Sequence, residues 1–221
     1  MSDAAAFVRD QLDHQPKSLA LFELALTHKS MGKGEDYERL EFLGDRVLGH
    51  VIARALYDLH PTEPEGYLSR RYNVLVARET CADIGRELGV PRLVRLGKQA
   101  REDGATQSDN VIGDVVESLI GALLIDGGFE AAQRFILTTW ESHLSEQHKA
   151  PQHPKSALQE LAAANGVKAP LYEVVARTGA HHAPKFTIRV SVAKLGEATA
   201  EGTSKQEAET AAAAALLEQL Q

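Results

Sequence analysis

Residues 37–49 read YERLEFLGDRVLG, and this stretch decides how the first part of the chain folds. Leu40, Leu43, Val47 and Leu48 recur at spacings of three and four, the mark of one buried helix face. Glu38, Glu41 and Asp45 recur in the same rhythm, so a helix carries all three acids on a second face. The stretch therefore predicts an amphipathic helix that points three carboxylates away from its core.

The same periodicity extends to both sides. Apolar residues fall at helical spacing in LALFELALTH (19–28), and the opening stretch continues as RLEFLGDRVLGHVIARALYDL (39–59). SDNVIGDVVESLIGALLIDGG (108–128) repeats the pattern until its paired glycines stop it, and FEAAQRFILTTWESHL (129–144) follows as a further helix. No segment here alternates at period two for long enough to make a sheet. Residues 1–145 are expected to form an all-α domain.

Residues 146–153, within the polar, proline-bearing SEQHKAPQHP, read as a linker. The texture then changes. HPKSALQELAAANG (153–166) predicts a helix stopped by Asn165-Gly166. LYEVVA (171–176) predicts a strand, KFTIRVSV (185–192) a second with Phe186, Ile188, Val190 and Val192 on one face, and a third lies within AKLGEATAEG (193–202). Ser204 with Glu207 forms a capping box that opens an alanine-rich final helix. Residues 154–221 are thus a small α+β domain of order αβββα.

Composition narrows the function classes. The chain has 221 residues, 43% hydrophobic and 25% charged, which suits globular domains with real cores. Its one cysteine cannot form an internal disulfide, so a reducing cytoplasm is the expected home. The start, MSDAAAFVRDQLDHQPK, lacks the apolar core of a signal peptide, and no apolar stretch approaches the roughly 20 residues of a spanning helix.

The net charge of -7 at first speaks against a polyanionic partner. However, residues 1–150 hold 17 Lys+Arg against 24 Asp+Glu, whereas residues 151–221 hold 7 of each. Within the acidic part, residues 70–101 run the other way: Arg70, Arg71, Arg78, Arg86, Arg92, Arg95, Lys98 and Arg101 face only Glu79, Asp83 and Glu87. Such a run is either a stripe for phosphates or an ordinary solvated helix face.

A second acidic pair, Asp114 and Glu117, lies among Val111, Val115, Ile120 and Leu123 in the most apolar helix. Carboxylates there are costly to bury unless something positive compensates them. A divalent cation is one candidate, because oxygen-only sites suit Mg²⁺ or Mn²⁺. A di-iron bundle would want Glu-x-x-His, but Glu41 follows Glu38 and Ile120 follows Glu117 at that spacing. Spacing alone leaves metal binding and salt-bridged surface acids both open.

ERLEFLGD (38–45) followed by Val47-Leu48 resembles the defining motif of the ribonuclease III family, as do LTHKS (26–30), EGYLSRRYNVLV (65–76) and DNVIGDVVESLIGALLIDGG (109–128). The tail is similar to the double-stranded-RNA-binding domain that follows the nuclease domain in bacterial members. The resemblance implies a homodimeric helical endonuclease without an organic cofactor. It would cut both strands of duplex RNA, leaving 5′-phosphates, 3′-hydroxyls and short 3′ overhangs, and would process ribosomal precursors and structured messages. It places Glu41, Asp45, Asp114 and Glu117 at positions that hold catalytic Mg²⁺, with Mn²⁺ as a substitute, and Glu38 and Glu65 at supporting acidic positions.

In the tail, the resemblance assigns RNA contacts to Ser156, Gln159 and Glu160 on the first helix, to His182 or its neighbours between the first two strands, and to Lys205 at the start of the last helix. Lys205-Gln206 stands where relatives often carry adjacent lysines, and Ala163 where a longer polar residue can occur. Two further departures lie at the acidic motif: Tyr37 replaces a usual asparagine, and Arg46 a usual small residue. A non-catalytic duplex-RNA binder and an unrelated helical metal-carboxylate protein are the competing readings.

Overall fold

Two helices, α3 (Glu38–Leu59) and α7 (Asp109–Gly127), form the centre of the first unit. The computed structural model describes residues 3–32, 34–146, 153–180 and 183–220. It divides the chain into compact units of residues 1–151 and 152–221. On α3 the buried positions Leu40, Gly44, Val47, Leu48, Val51, Ile52 and Leu56 follow the helical repeat, while Leu43 is half-buried. On α7 burial runs around almost the whole circumference, from Val111 and Ile112 through Leu119 and Ile120 to Leu123. A helix apolar on every side belongs in the middle.

The two backbones meet at glycines. A Cβ on Gly44 would lie 1.7 Å from the Glu117 carbonyl oxygen, and one on Gly121 would lie 2.2 Å from the Leu40 carbonyl oxygen. Lack of space, rather than an unusual backbone angle, demands glycine at both positions. Ser118 adds a polar tie, its hydroxyl donating to the Ala25 carbonyl at 2.6 Å.

Around this pair stand α1 (Asp3–Gln11), α2 (Leu19–Ala25), α4 (Glu65–Leu75), α5 (Arg78–Glu87), α6 (Lys98–Glu102), α8 (Phe129–Thr139) and α9 (Glu141–Glu146). The helix expected over 19–28 ends at Ala25. Arg95 instead captures the following backbone, donating to the Leu26 carbonyl at 2.8 Å and accepting from the His28 N–H at 3.0 Å. The helix expected over 129–144 breaks at Trp140, whose fully buried indole donates to the Leu75 carbonyl at 2.8 Å. Tertiary hydrogen bonds override the local pattern in both places.

Asp126, near the end of α7, fastens the segment leading into α2. Its carboxylate accepts the Lys17 and Ser18 N–H groups, each at 2.8 Å, and pairs with His14 Nε2 at 2.7 Å.

The second unit packs α10 (Pro154–Ala164) and α11 (Lys205–Gln219) against an antiparallel sheet of order β1 (Leu171–Ala180), β2 (Ala183–Val192), β3 (Gly196–Gly202). Ile188, Val190 and Val192 are buried, and Phe186 is half-buried. β1 runs four residues and β2 two residues beyond the predicted strands, with a bulge between Val174 and Ala176. At α11 the Ser204 hydroxyl accepts the Glu207 N–H at 3.1 Å, but Glu207 reaches back to the Thr203 N–H rather than to that of Ser204. The cap is therefore stretched by one residue.

Gly121→Ala is expected to cost about 3 kcal/mol or more in urea unfolding, because a methyl cannot enter the crossing without parting the helices. Gly66→Ala, with nothing within 4 Å of the added carbon, should be neutral or stabilising by about 0.5–1 kcal/mol. Asp126 gives a second test. Burial works to raise its carboxyl, but hydrogen bonds from His14, Lys17 and Ser18 outweigh burial and hold it below the ordinary value. Its contribution is therefore whole above the ordinary carboxylate range and lost as pH falls through the lower folded value. The urea midpoint of Asp126→Asn should decline less steeply than that of the parent between about pH 5 and about pH 3.

Candidate active site

The glycine crossing sits in the middle of the acidic residues. Glu41 and Asp45 flank Gly44 on α3, and Glu117 is the residue whose carbonyl Gly44 meets on α7. One turn earlier on α7 stands Asp114. Glu41, Asp45, Asp114 and Glu117 are all half-buried. The close backbone approach thus forces carboxylates from two helices toward one another.

Their electrostatics record that crowding. Burial raises the Glu117 carboxyl to about 7, helped by the charges of Glu41 and Asp114 and opposed by Arg46 and Arg78. Burial likewise raises Glu41, with Asp114 and Glu38 adding to the effect. Burial raises Asp114 too, outweighing a hydrogen bond from Tyr37 and the charges of Arg78, His28 and Lys29. Cys81, on α5, registers the same acids: burial and then Glu117 and Asp114 push its thiol up to about 12. It stays a protonated core residue.

The structure brings together three of the predicted acids, Glu41, Asp114 and Glu117, through these mutual interactions. Asp45 is engaged by its neighbour Arg46 in an ion pair. Glu38, at the start of α3, pairs with Lys29 at 2.9 Å. Glu65 opens α4 and accepts the Ser69 hydroxyl within its own helix at 2.5 Å. Among the described residues, no three His, Cys, Asp or Glu side chains already stand at the spacing of a closed ligand set. Ligation by the four acids would therefore require their side chains to turn toward a common point.

Chemically, the donor set suits a hard divalent cation. It offers carboxylate oxygens alone, half-buried and mutually repelling, and a cation would replace that repulsion with attraction. Sequence reasoning missed the groups that contain the repulsion here. Tyr37 is buried, and its hydroxyl donates to Asp114 Oδ2 at 3.1 Å. Arg78 opens α5, where Gly113 and Gly85 let that helix lie close to α7. Tyr37 was visible only as an odd residue beside the motif, and Arg78 as one of eight cations.

Half of that basic run is spent on structural pairs. Arg71 is buried and donates to Glu63 at 2.7 Å. Arg86 pairs with Asp83 and Asp109, Arg95 with Glu23, and Lys98 with Glu102. Those four are engaged with the protein's own acids and do not form a continuous phosphate stripe.

In the second unit Gln159 and Glu160 are exposed and Ser156 is half-buried, while Leu158 and Ala162 face inward. Lys205 is exposed at the first position of α11. Lys155 ties α10 to α11 through Glu209 and lies 4.8 Å from the Tyr172 ring. His182 lies outside the described residues.

These features define a helical nuclease unit joined to a duplex-RNA-binding module. Residues 18–143 match the ribonuclease-III-like family model, and residues 154–220 match the double-stranded RNA binding motif. The chain belongs to the ribonuclease III family and is an endoribonuclease directed at double-stranded RNA. It is 58% identical to Ribonuclease 3 of Zymomonas mobilis over 96% of this chain and 86% of that protein. It is 45% identical to Ribonuclease 3 of Methylocella silvestris over 94% and 88%. The nuclease domain of ribonuclease III from Campylobacter jejuni superposes with a TM-score of 0.62 at 30% identity, covering 66% of this chain and 99% of that one. A second structure of that domain, described for flexibility in a region involved in dimer formation, gives a TM-score of 0.61 at 31% identity, covering 63% and 97%. Members of the family are generally metal-dependent. Among the described residues, no helix is long and apolar enough to cross a membrane.

The crowding has a measurable consequence in chelator-treated protein. Glu117 keeps its proton to about pH 7 when folded, but releases it near the ordinary value when unfolded. The folded state thus binds more protons between those limits and loses stability as pH rises through them. Glu117→Gln should flatten that decline in urea melts and be more stable than the parent at about pH 8, by about 1 kcal/mol or more.

Proposed function

We propose that this chain hydrolyses both strands of duplex RNA with Mg²⁺, for which Mn²⁺ can substitute, working as a homodimer in the cytoplasm. Its products carry 5′-phosphates, 3′-hydroxyls and short 3′ overhangs, and its substrates are ribosomal precursors and structured messages. The observation that carries this reading is the half-buried Glu41–Asp114–Glu117 set at the α3–α7 crossing, in a chain that also carries a double-stranded RNA binding motif.

Glu41, Asp45, Asp114 and Glu117 are the residues that would hold the ion, with Glu38 and Glu65 in support. A bound divalent cation supplies a more acidic water and neutralises charge on the scissile phosphate and the leaving 3′ oxygen. The chain's own contribution is orientation and compensation. Tyr37 donates to one oxygen of Asp114 and so restricts how that carboxylate turns. Arg78 offsets the summed negative charge at Asp114 and Glu117, which eases the approach of an RNA phosphate. No side-chain nucleophile is needed.

Each chain supplies one acidic set, and cutting two strands calls for two, which favours a pair of copies. Phe42, 65% exposed on the helix that carries Glu41 and Asp45, offers apolar surface for that pairing. In the tail, Ser156, Gln159 and Glu160 would meet one minor groove and His182 the next. Lys205 and the first N–H groups of α11 would hold phosphates between them.

Full-length protein incubated with long duplex RNA should give short duplexes with Mg²⁺ and none with chelator. Glu117→Gln should slow cutting by roughly a hundredfold or more, yet bind the duplex within about threefold of the parent, since phosphate contacts made elsewhere carry most of that affinity. Uncut RNA in Mg²⁺ would sink the nuclease reading. An equal loss of binding would make Glu117 a structural residue.

A further inference from the structure

Asp114 is held from outside its own helix. Its Oδ2 accepts the Tyr37 hydroxyl at 3.1 Å, from a residue 77 positions earlier. Arg78, His28 and Lys29 act on the same carboxylate through charge, so among the described residues Tyr37 is the side chain that fixes one of its oxygens by a hydrogen bond.

Tyr37 has little freedom to move away. It is only 2% exposed. Its N–H donates to the Thr27 carbonyl at 3.0 Å, and its own carbonyl accepts the Leu40 and Glu41 N–H groups, each at 2.9 Å. Its ring packs against that of His28, with 5.6 Å between centroids. His28 is anchored in turn: its Nδ1 accepts the Ser30 N–H at 3.1 Å, and Ser30 Oγ accepts the Gly97 N–H at 2.9 Å. One buried residue thus starts the helix that carries Glu41 and reaches across to Asp114 on α7.

We infer that Tyr37 is a positioning residue that sets ion selectivity: by engaging Oδ2 it makes Asp114 a one-oxygen ligand and so favours small octahedral ions, Mg²⁺ and Mn²⁺, over Ca²⁺. This selectivity rests on the proposed reading of Asp114 and Glu117 as ion ligands. An oxygen that accepts a hydrogen bond gives part of its electron density to that donor, which leaves Oδ1 the stronger ligating atom. The ions differ in what they ask of a carboxylate. Mg²⁺ demands near-ideal octahedral geometry, which the narrow bite of two oxygens from one carboxylate spoils. Ca²⁺ takes about six to eight oxygens in a looser shell and readily grips both oxygens of one carboxylate. Asp114 is also the short, fixed member of the set. Glu41 and Glu117 each have one more rotatable bond, and burial and charge rather than hydrogen bonds dominate their surroundings. They can turn toward an ion that Asp114 locates.

The test is Mn²⁺ binding to chelator-stripped full-length protein without RNA, read from the loss of the free-ion paramagnetic resonance signal. Ca²⁺ is then added as the competitor that restores the signal, and the ratio of the Ca²⁺ to the Mn²⁺ dissociation constant is compared between variants. Tyr37→Phe keeps the buried ring and removes only the hydroxyl. It should lower the ratio about three- to tenfold, because Mn²⁺ loses an oriented ligand while Ca²⁺ gains access to a second oxygen. Tyr37→Asn, the residue usual at this place in the resembling motif, is too short to reach Asp114 and should shift the ratio in the same direction. Urea melts establish which variant is folded, and the ratio is read from that one. An unchanged or raised ratio would overturn the inference, and equal weakening of both ions would make Tyr37 a packing residue only. Asp114→Asn and Glu117→Gln alone separate the underlying reading: if neither weakens Mn²⁺ binding, the ligand assignment fails as well. If either weakens it while the ratio holds, only the selectivity fails.

Discussion

The contact on which the nuclease unit depends is the approach of two helix backbones at Gly44 and Gly121, closer than any side chain permits. Carbonyl oxygens of Leu40 and Glu117 occupy the space where β-carbons would stand. Such an approach gives α7 its central burial, because a helix that close to its neighbour exposes little of that face. It also decides the chemistry. Glu41 and Asp45 about Gly44, and Glu117 one turn before Gly121, are carried inward with the backbone, so packing and charge crowding have one cause.

Crowded carboxylates need compensation, and the chain supplies it in graded form. Tyr37 gives a hydrogen bond from a buried position, Arg78 a charge from α5, and Arg46 an exposed ion pair. The first is built into the core, and the last is exposed. Even with all three, burial and mutual repulsion win at Glu117, whose proton is held to about pH 7. A site left so under-compensated would be relieved by a divalent cation. That is a more physical ground for metal binding than the spacing of acids alone.

How much of this was legible in the sequence follows from which interactions are local. The repeat of Leu40, Val47 and Leu48 is local, so α3 could be read directly, as could α7 from its apolar run. The capping serine of α11 was visible for the same reason, although Glu207 caps one residue further back than the motif implies. The end of α2 and the break at Trp140 could not be read, because each is set by a partner some 65 to 70 residues away, Arg95 and Leu75. The site divides along the same line. That acids lie on one face of α3 is a matter of periodicity. That Tyr37 reaches Asp114, 77 residues later, is a matter of tertiary packing, and no pattern near Tyr37 encodes it.

The charge balance, which taken alone argues against an RNA partner, takes a different meaning from the pairings. The acid excess lies in the nuclease unit, not in the tail. There, Glu63, Asp83, Asp109 and Glu23 are engaged by Arg71, Arg86 and Arg95 and shape the surface rather than the site. What remains concentrated at the α3–α7 crossing is negative charge that its own cations do not cancel. An RNA phosphate would be repelled by that charge alone and accepted once a divalent cation had reversed it locally. Net charge therefore reports poorly on such a partner, since the acids that repel a polyanion are the same ones that would hold the proposed ion.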